Sequence, residues 1–563
     1  MDALKHKQHF DQLKNERKTW DVMFQVLGEY ISMMKQNFEG QPSNGEFLVD
    51  DIYDSKGAYA AINSSSALSG MLWTGSAKQS IFLDAPDDVE MTTELSEYYE
   101  YITNKLCGAF DDARSNFNLA WEEYMLDQVI FGTSGIGVES GDDSLLLFKP
   151  YGVKELYFDE GKNGRVSDEY LFFEWTVKRA VAEYGIDNVS EKVRQKYEQS
   201  KLLDKVKILI CIVPREEFKA EKGKLAMPIM SLHLEYEGCH ILREGGYSEL
   251  PIKICRFRKM NYERYGRSNG MFALPDIKEA NILREAVIVA TEKNLDPPLG
   301  VLDDGTLGGG AIDTSAGSIS VFNASSQMGN RQPIFPLYTV GSINDAMVRL
   351  EELKESIGQH FYIDRLLDFN NDTQMTFGEA QIRAGLRNAS LSSLFSRQIS
   401  ECLTPVIDRS VNILVQMGEL GVIAGSEQEE ERQLDGKETV QIPDVLAKRL
   451  DAGQDIYRVG YRTQASNASR SEEYIAILDV LSFGIQAMQV DPSVRHRIDM
   501  HEGVKQIADI RGLPVGIIKE NDIVEAAMKA EAEAQKGQQA LEQAQMGAGI
   551  VETMASANRT VRE

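Results

Sequence analysis

The stretch PDIKEANILREAVIVATEKN, residues 275–294, decides the reading of the fold. Ala280, Leu283, Val287 and Ala290 recur at helical spacing and form one apolar stripe, while Ile282 and Val289 form a second. A helix apolar on two faces packs on two sides, and its alanines admit close neighbours. Pro275 sits near the expected start, where a missing N–H costs nothing. The segment DPPLGVLDDGTLGGGAIDTSAGS, residues 296–318, then ends the helix with loop or short strand. ISVFNAS (319–325) and QPIFPLY (332–338) read as short strands. A second helix follows, with Ile343, Met347, Leu350, Leu353, Ile357 and Phe361 at spacings of three and four. The pattern predicts a helix–insert–helix hairpin.

Outward from this hairpin the pattern changes twice. Towards the N-terminus, Leu13, Trp20, Phe24, Leu27 and Ile31 predict an amphipathic helix, and a second helical block covers about 92–130. From Val138 to about Phe257 many segments alternate, which predicts an antiparallel sheet with helical inserts around Ala180 to Gln199. On the C-terminal side, DRLLDFNNDTQMTFGEA (364–380) is polar and without period, hence a loop. A long helical pattern runs from Glu379 to about Gly418, with Pro405 inside it to kink or split it. The acidic run SEQEEERQLDG separates further helical segments, and the tail from about Asn521 is Ala-, Glu- and Gln-rich, with high helix propensity and little apolar periodicity.

Composition bounds the function. A chain of 563 residues predicts about three or four domains or one elongated body. It is 42% hydrophobic and 26% charged, as folded soluble proteins are. No apolar run approaches the roughly 20 residues of a membrane span, and MDALKHKQHFDQ lacks the apolar core of a secretory signal. Five scattered cysteines, Cys107, Cys211, Cys239, Cys255 and Cys402, argue for a reducing compartment. A net charge of -27 excludes a nucleic-acid binder that works through a large basic face.

Four candidate chemistries are weighed. FGTSGIGVES (131–140) resembles a phosphate-cradling loop, but Val138 and Glu139 follow Gly137 where a P-loop needs Lys-Ser/Thr. A helix ends at Phe131 and a strand follows, the reverse of a Rossmann turn, so Gly132 reads as a helix C-cap. His233, Cys239, His240 and Cys255 lack the tight pairs of a zinc site and read as core residues, so no metal is expected. Asp50, Asp51 and Asp54, and likewise Asp303 and Asp304, lie beside turns with no base nearby. RFRKMNYERYGR (256–267) is the one local basic patch; it reads either as a nucleic-acid grip or, preferably, as a solvated edge or a contact to an acidic neighbour. No catalytic set and no cofactor site emerges. The expected fold class is mixed α+β, and the shape suggests an assembly component.

The run YGRSNGMFALPDIKEANILREA (265–286) followed by DPPLGVLDDG (296–305) resembles the portal, or head-to-tail connector, proteins of short-tailed bacteriophages. MTFGEAQIRAGLRNASLSSLFSRQISECLTPVIDRSVNIL (375–414) and the FGTSGIGVE turn resemble further segments of that family, in the same order, from about Trp20 to about Ala527. The resemblance implies a non-enzymatic ring, dodecameric in the family, at one capsid vertex of the virion, assembled in the host cytoplasm. Double-stranded DNA passes through its channel. Its implied partners are further copies of itself, the terminase large subunit, a tail adaptor or tail tube protein, and capsid or scaffolding protein, with no membrane. It implies a wing (1–275), a stem helix (276–294), a clip (295–336), a returning stem helix (337–363), a channel loop (364–375), a long wing helix (376–420), a wing-to-crown helical region (421–520) and a C-terminal crown or barrel helix (521–563). Arg365, Asn370, Asn371 and Gln374 are then expected near DNA. Leu299, Val301, Asp303, Asp304, Ile319 and Phe322 are expected to face motor and adaptor. Ile277, Ala280, Leu283, Val287, Ala290, Met347 and Leu350 are expected at subunit contacts. The rival readings are a packaging-related nucleotide-binding enzyme using Gly132 to Gly137, and a scaffold assembled through the helical tail.

Overall fold

The computed structural model describes residues 2–32, 51–86, 88–89, 91–216, 223–303, 312–323, 334–337, 341, 343–366, 391–422, 440–462, 477–485, 503, 504, 506 and 507. The chain divides into two compact units, Met1–Ser469 and Arg470–Glu563. In the second, residues 477–485 are helical. The acidic run and the Ala/Glu/Gln tail lie outside the described residues.

The first unit begins with helices α1 (Asp2–Leu27), α2 (Lys56–Leu72) and α3 (Ala77–Ser80), strand β1 (Ile81–Asp84), and helices α4 (Thr93–Asp111) and α5 (Phe117–Phe131). Strands β2 (Thr133–Glu139), β3 (Leu147–Gly152), β4 (Leu156–Glu160) and β5 (Val166–Thr176) follow. Helices α6 (Val177–Tyr184) and α7 (Glu191–Glu198) come next, where helical inserts were expected. Then come β6 (Lys205–Pro214), β7 (Ile229–Glu235), β8 (His240–Tyr247) and β9 (Ile252–Arg256). The hairpin comprises α8 (Asn269–Leu295), β10 (Leu299–Asp303), β11 (Ile319–Asn323), β12 (Ile334–Pro336) and α9 (Asn344–His360). Short α10 (Ile363–Leu366), α11 (Thr404–Gln416), a helix over Asp444–Asp451 and β13 (Arg458–Tyr461) complete it. β13 closes an antiparallel pair with β1.

Two cores organise this unit. Helix α5 buries Phe117, Trp121, Tyr124, Met125 and Val129 and exposes Asn118, Leu119, Glu122 and Glu123 on one side of its first turns; from Tyr124 onward it is covered on every side. It packs on the antiparallel sheet β3-β2-β9 and against α2 and α8. The second sheet is the antiparallel meander β4-β5-β6-β7-β8. Alternation along β6 sends Leu209, Cys211 and Val213 to a smaller core under α1, with Phe10 and Leu13, and sends Ile208, Ile210 and Ile212 to the main core.

Gly132 ends α5 in the left-handed conformation, φ 79°, as its C-cap position requires. Its second constraint is tighter: a Cβ there would lie 2.5 Å from the Gly266 carbonyl oxygen. A Cβ on Gly266 would in turn meet the Gly132 carbonyl oxygen at 2.2 Å. The turn leaving α5 thus touches, backbone to backbone, the segment that starts α8. Gly132→Ala is expected to lose about 2 kcal/mol or more in denaturant unfolding. Gly238→Ala, where the added carbon meets nothing within 4 Å, should be close to neutral.

One helix boundary differs from expectation, and the break expected at Pro405 is present. α8 starts at Asn269, not at Pro275, because the Ser268 hydroxyl accepts from the Met271 N–H at 3.0 Å and caps it. Pro275 therefore lies inside the helix and removes one intrahelical hydrogen bond. Around Pro405 the chain forms a π-helical turn, Ile399–Leu403, between helical residues 391–398 and α11, a usual response to a missing donor.

Glu169 on β5 is fully buried on the main-core side, where no side chain hydrogen-bonds either carboxylate oxygen. Burial pushes its pKa up to about 8, and the charges of Lys253 and Arg409 pull it back only in part. Between the ordinary carboxylate range and pH 8 the native chain keeps a proton that the unfolded chain has released. Stability from this group is complete below that window and falls across it, by up to about 1.4 kcal/mol per pH unit. Glu169→Gln should flatten the decline. Denaturant unfolding of both chains at several pH values between about 5 and 8 checks this, and identical slopes would refute it.

Candidate functional site

The hairpin is built from the base outward. Asn281 of α8 accepts from the Tyr53 N–H at 2.7 Å and the Asp54 N–H at 3.2 Å, and donates to the Asp51 carbonyl at 2.9 Å. The segment carrying Asp51 and Asp54 is thereby clamped onto α8; Asp50 lies outside the described residues. The Ser356 hydroxyl of α9 donates to Asp276 at 2.6 Å, and Arg349 pairs with Glu279 at 3.0 Å. Between these polar ties, Ile277, Ala280 and Val287 of α8 and Leu350, Leu353 and Ile357 of α9 are buried.

The two apolar stripes thus separate by role. Ile277, Ala280, Val287 and Leu350 are consumed inside the chain, while Leu283 and Ala290 are half-buried. Large apolar residues left outward are Ile282 (66% exposed), Val289 (40%), Met347 (41%) and Val348 (61%), with Phe272 (40%) and Leu295 (82%) towards the two ends of α8. Met347 and Val348 line an open groove of 620 Å³ with Lys56, Glu351, Glu352, Lys354 and Glu355. Val348 went unnoticed in the sequence because it is adjacent to Met347 and breaks the expected stripe.

Beyond the helices, the insert is a three-stranded sheet with β10 at its centre, parallel to β11 and antiparallel to β12. Leu299 and Val301 are half-buried on β10, Ile319 is exposed on β11, and Phe322 packs beside Phe335 with ring centroids 6.1 Å apart. Asp303 ends β10, and Asp304 lies outside the described residues. After α9, Arg365 falls in α10. Asn370, Asn371 and Gln374 lie outside the described residues.

The basic stretch 256–267 is turned inward. Arg256 is buried, pairs with Glu160 and with Glu401 at 3.4 Å, and donates to the Gly164 carbonyl at 3.1 Å. Lys259 pairs with Glu160 at 2.7 Å. Arg264 pairs with Glu16 at 2.7 Å and Asp159 at 2.9 Å, and Arg267 bonds Glu263 at 2.9 Å while lying over Trp20. Arg258 lies over Phe272 and Tyr362, where burial lowers its pKa. This stretch ties α1, β4 and the π-helical turn together; it is neither a nucleic-acid grip nor a solvated edge.

The other candidates fail on position. Gly132 to Gly137 are buried, and β2 spends its backbone groups on ladders to β3 and β9, so no nest of free N–H groups exists there. His233 contacts the Tyr184 hydroxyl at 2.9 Å and Ser231 at 3.2 Å, and burial pushes its pKa down to about 3. Cys255 is buried on β9, in the other sheet, so the four residues weighed for zinc are not assembled.

The described residues thus combine a two-helix hairpin that carries a small three-stranded sheet with a basic strip neutralised inside the chain. A family model described as bacteriophage head to tail connecting protein matches residues 4–518, and the chain belongs to that family. It is similar to the portal protein of Salmonella phage epsilon15, 22% identical over 564 residues, covering 96% of this chain and 93% of that protein. It is also similar to the probable portal protein of Bordetella phage BPP-1, 23% identical over 414 residues, covering 72% and 73%. Among solved structures, a chain from the virion of a native gene transfer agent particle aligns at 10% identity over 75% of this chain and 99% of that one. Its TM-score of 0.30 is too low to carry a structural argument. Among the described residues, no helix is long and apolar enough to cross a membrane.

Arg256→Ala removes the buried guanidinium from between Glu160 and Glu401, each about a quarter exposed, and leaves them only Lys259 and Arg397 as cationic partners. The expected cost is about 3 kcal/mol, the lower end for breaking a buried pair, measured by denaturant unfolding. A loss within experimental error would mean that the clamp is not structural.

Proposed function

We propose that copies of this chain form a closed ring at one capsid vertex, a portal through which double-stranded DNA is packaged and ejected. In this reading α8 and α9 are the stem, residues 295–336 are the clip that docks the terminase large subunit and then the tail adaptor, and 364–375 is the channel loop. The sheets, with α1–α7 and α11, form the wing, and the C-terminal helices form the crown. The ring is dodecameric, works in the virion, assembles in the host cytoplasm with capsid or scaffolding protein, and catalyses nothing.

The observation that carries the reading is the hairpin, with its inner stripe consumed and its outer apolar residues left exposed among the described residues. Single exposed apolar residues are ordinary. Four of them on two adjacent helices, beside a groove with charges of both signs, suit a heterologous, ring-closing contact. The proposed contact residues are therefore Ile282, Val289, Met347 and Val348, beside half-buried Leu283 and Ala290. Charge agrees: at -27 per copy, a ring repels phosphates and lets DNA slide, so isolated cations such as Arg365 are the ones to bias its passage.

Electron microscopy of the purified chain with native mass measurement should show a ring whose hole admits duplex DNA. Ile282→Asp with Val348→Asp should abolish rings while leaving the far-ultraviolet circular dichroism unchanged. Deleting 525–563 should leave rings intact. Rings lost only by that deletion would favour the tail-scaffold reading, and magnesium-dependent nucleotide binding would favour the enzyme.

A further inference from the structure

We propose that the start of α1 and the β4–β5 hairpin form a binding site for a divalent transition-metal ion of the zinc or manganese class, which staples α1 to the five-stranded sheet. His9 of α1, Asp159 of β4 and Asp168 of β5 each turn one ligand atom to a common point, all within 4.8 Å of one another. The two aspartates are direct cross-strand partners in the antiparallel register. Like charges placed opposite each other destabilise a sheet unless a cation lies between or beside them. Arg264 reaches only one of them: it bonds Asp159 Oδ1 at 2.9 Å, where the Glu160 N–H also donates at 2.9 Å. That leaves Asp159 Oδ2 facing His9 Nε2 at 3.4 Å. This separation is about what two ligands at roughly 2.0–2.1 Å subtend across a tetrahedral angle.

The imidazole is also oriented as a ligand is. Its other nitrogen, Nδ1, lies 2.8 Å from the Tyr170 hydroxyl, the outer partner that fixes a metal-binding ring. Phe10, next along α1, is fully buried against Tyr157, Tyr170 and Phe172, so the helix backbone is already seated where the ligands meet. One imidazole with two carboxylates suits zinc or manganese, whereas calcium takes oxygen ligands alone. The sequence signal is His9, a helical histidine whose carboxylate partners lie far along the chain.

The test is calorimetric titration of zinc, manganese and calcium chloride into the full chain, prepared without a polyhistidine tag and stripped with a chelator. The expected result is one saturable zinc or manganese site per chain that calcium does not occupy. His9→Gln should weaken it at least tenfold, and Tyr170→Phe, which keeps the ring packing, by roughly tenfold to a hundredfold. Metal should slow hydrogen exchange in the first turns of α1 in the wild type and not in His9→Gln. Cys239→Ser, which alters the only cysteine that is not buried, should leave the affinity unchanged. Three results would overturn the proposal: no saturable binding, equal affinity in His9→Gln, or equal competition by calcium. The first would leave the contact as a plain ion pair, and the others would assign the metal to the acidic surface.

Discussion

The structure depends on one close approach, the contact of backbone on backbone between Gly132 and Gly266. Each glycine stands where the other's carbonyl leaves no room for a side chain. Gly132 ends the buried central helix and Gly266 begins the segment that becomes α8. The Thr133 hydroxyl accepts the Gly266 N–H at 2.8 Å and ties the two further. Because the C-terminal half of α5 is covered on every side, the crossing fixes where α8 leaves the body, and so fixes the base of the hairpin. A glycine-rich turn that resembles a phosphate loop is a packing device in this chain.

Charge is the second organising constraint. A chain of net -27 spends the cations of its one basic stretch on its own carboxylates and aromatic rings. Arg256 can be buried because Glu160, Glu401 and a backbone carbonyl replace the water it loses. Glu169 is the opposite case, a buried carboxyl that no side chain hydrogen-bonds, and it is therefore held protonated well above the usual range.

Much of the architecture was legible because long, strongly periodic segments report their own structure. The hairpin, the alternating region with its helical inserts and the turn at Gly132 all came from local pattern. The start of α8 was misjudged because Pro275 is the louder signal, while the cap at Ser268 is a single hydroxyl that acts only once its loop is held by the Gly132 crossing. The basic stretch was legible as basic, but its partners, Glu16, Asp159, Glu160 and Glu401, lie far away in the chain. The Asn370, Asn371 and Gln374 expectation falls outside the described residues.

The sequence by itself determined which segments are helices and strands, that two helices flank a small β insert, and that no large basic face exists, because these follow from periodicity, turn chemistry and composition. Only the tertiary structure decided which of two apolar stripes is spent inside the chain and which is left exposed. It alone turned the basic stretch inward and brought His9 to two opposed aspartates. Periodicity states that a face is apolar; what covers that face depends on elements hundreds of residues apart, whose meeting no local pattern encodes.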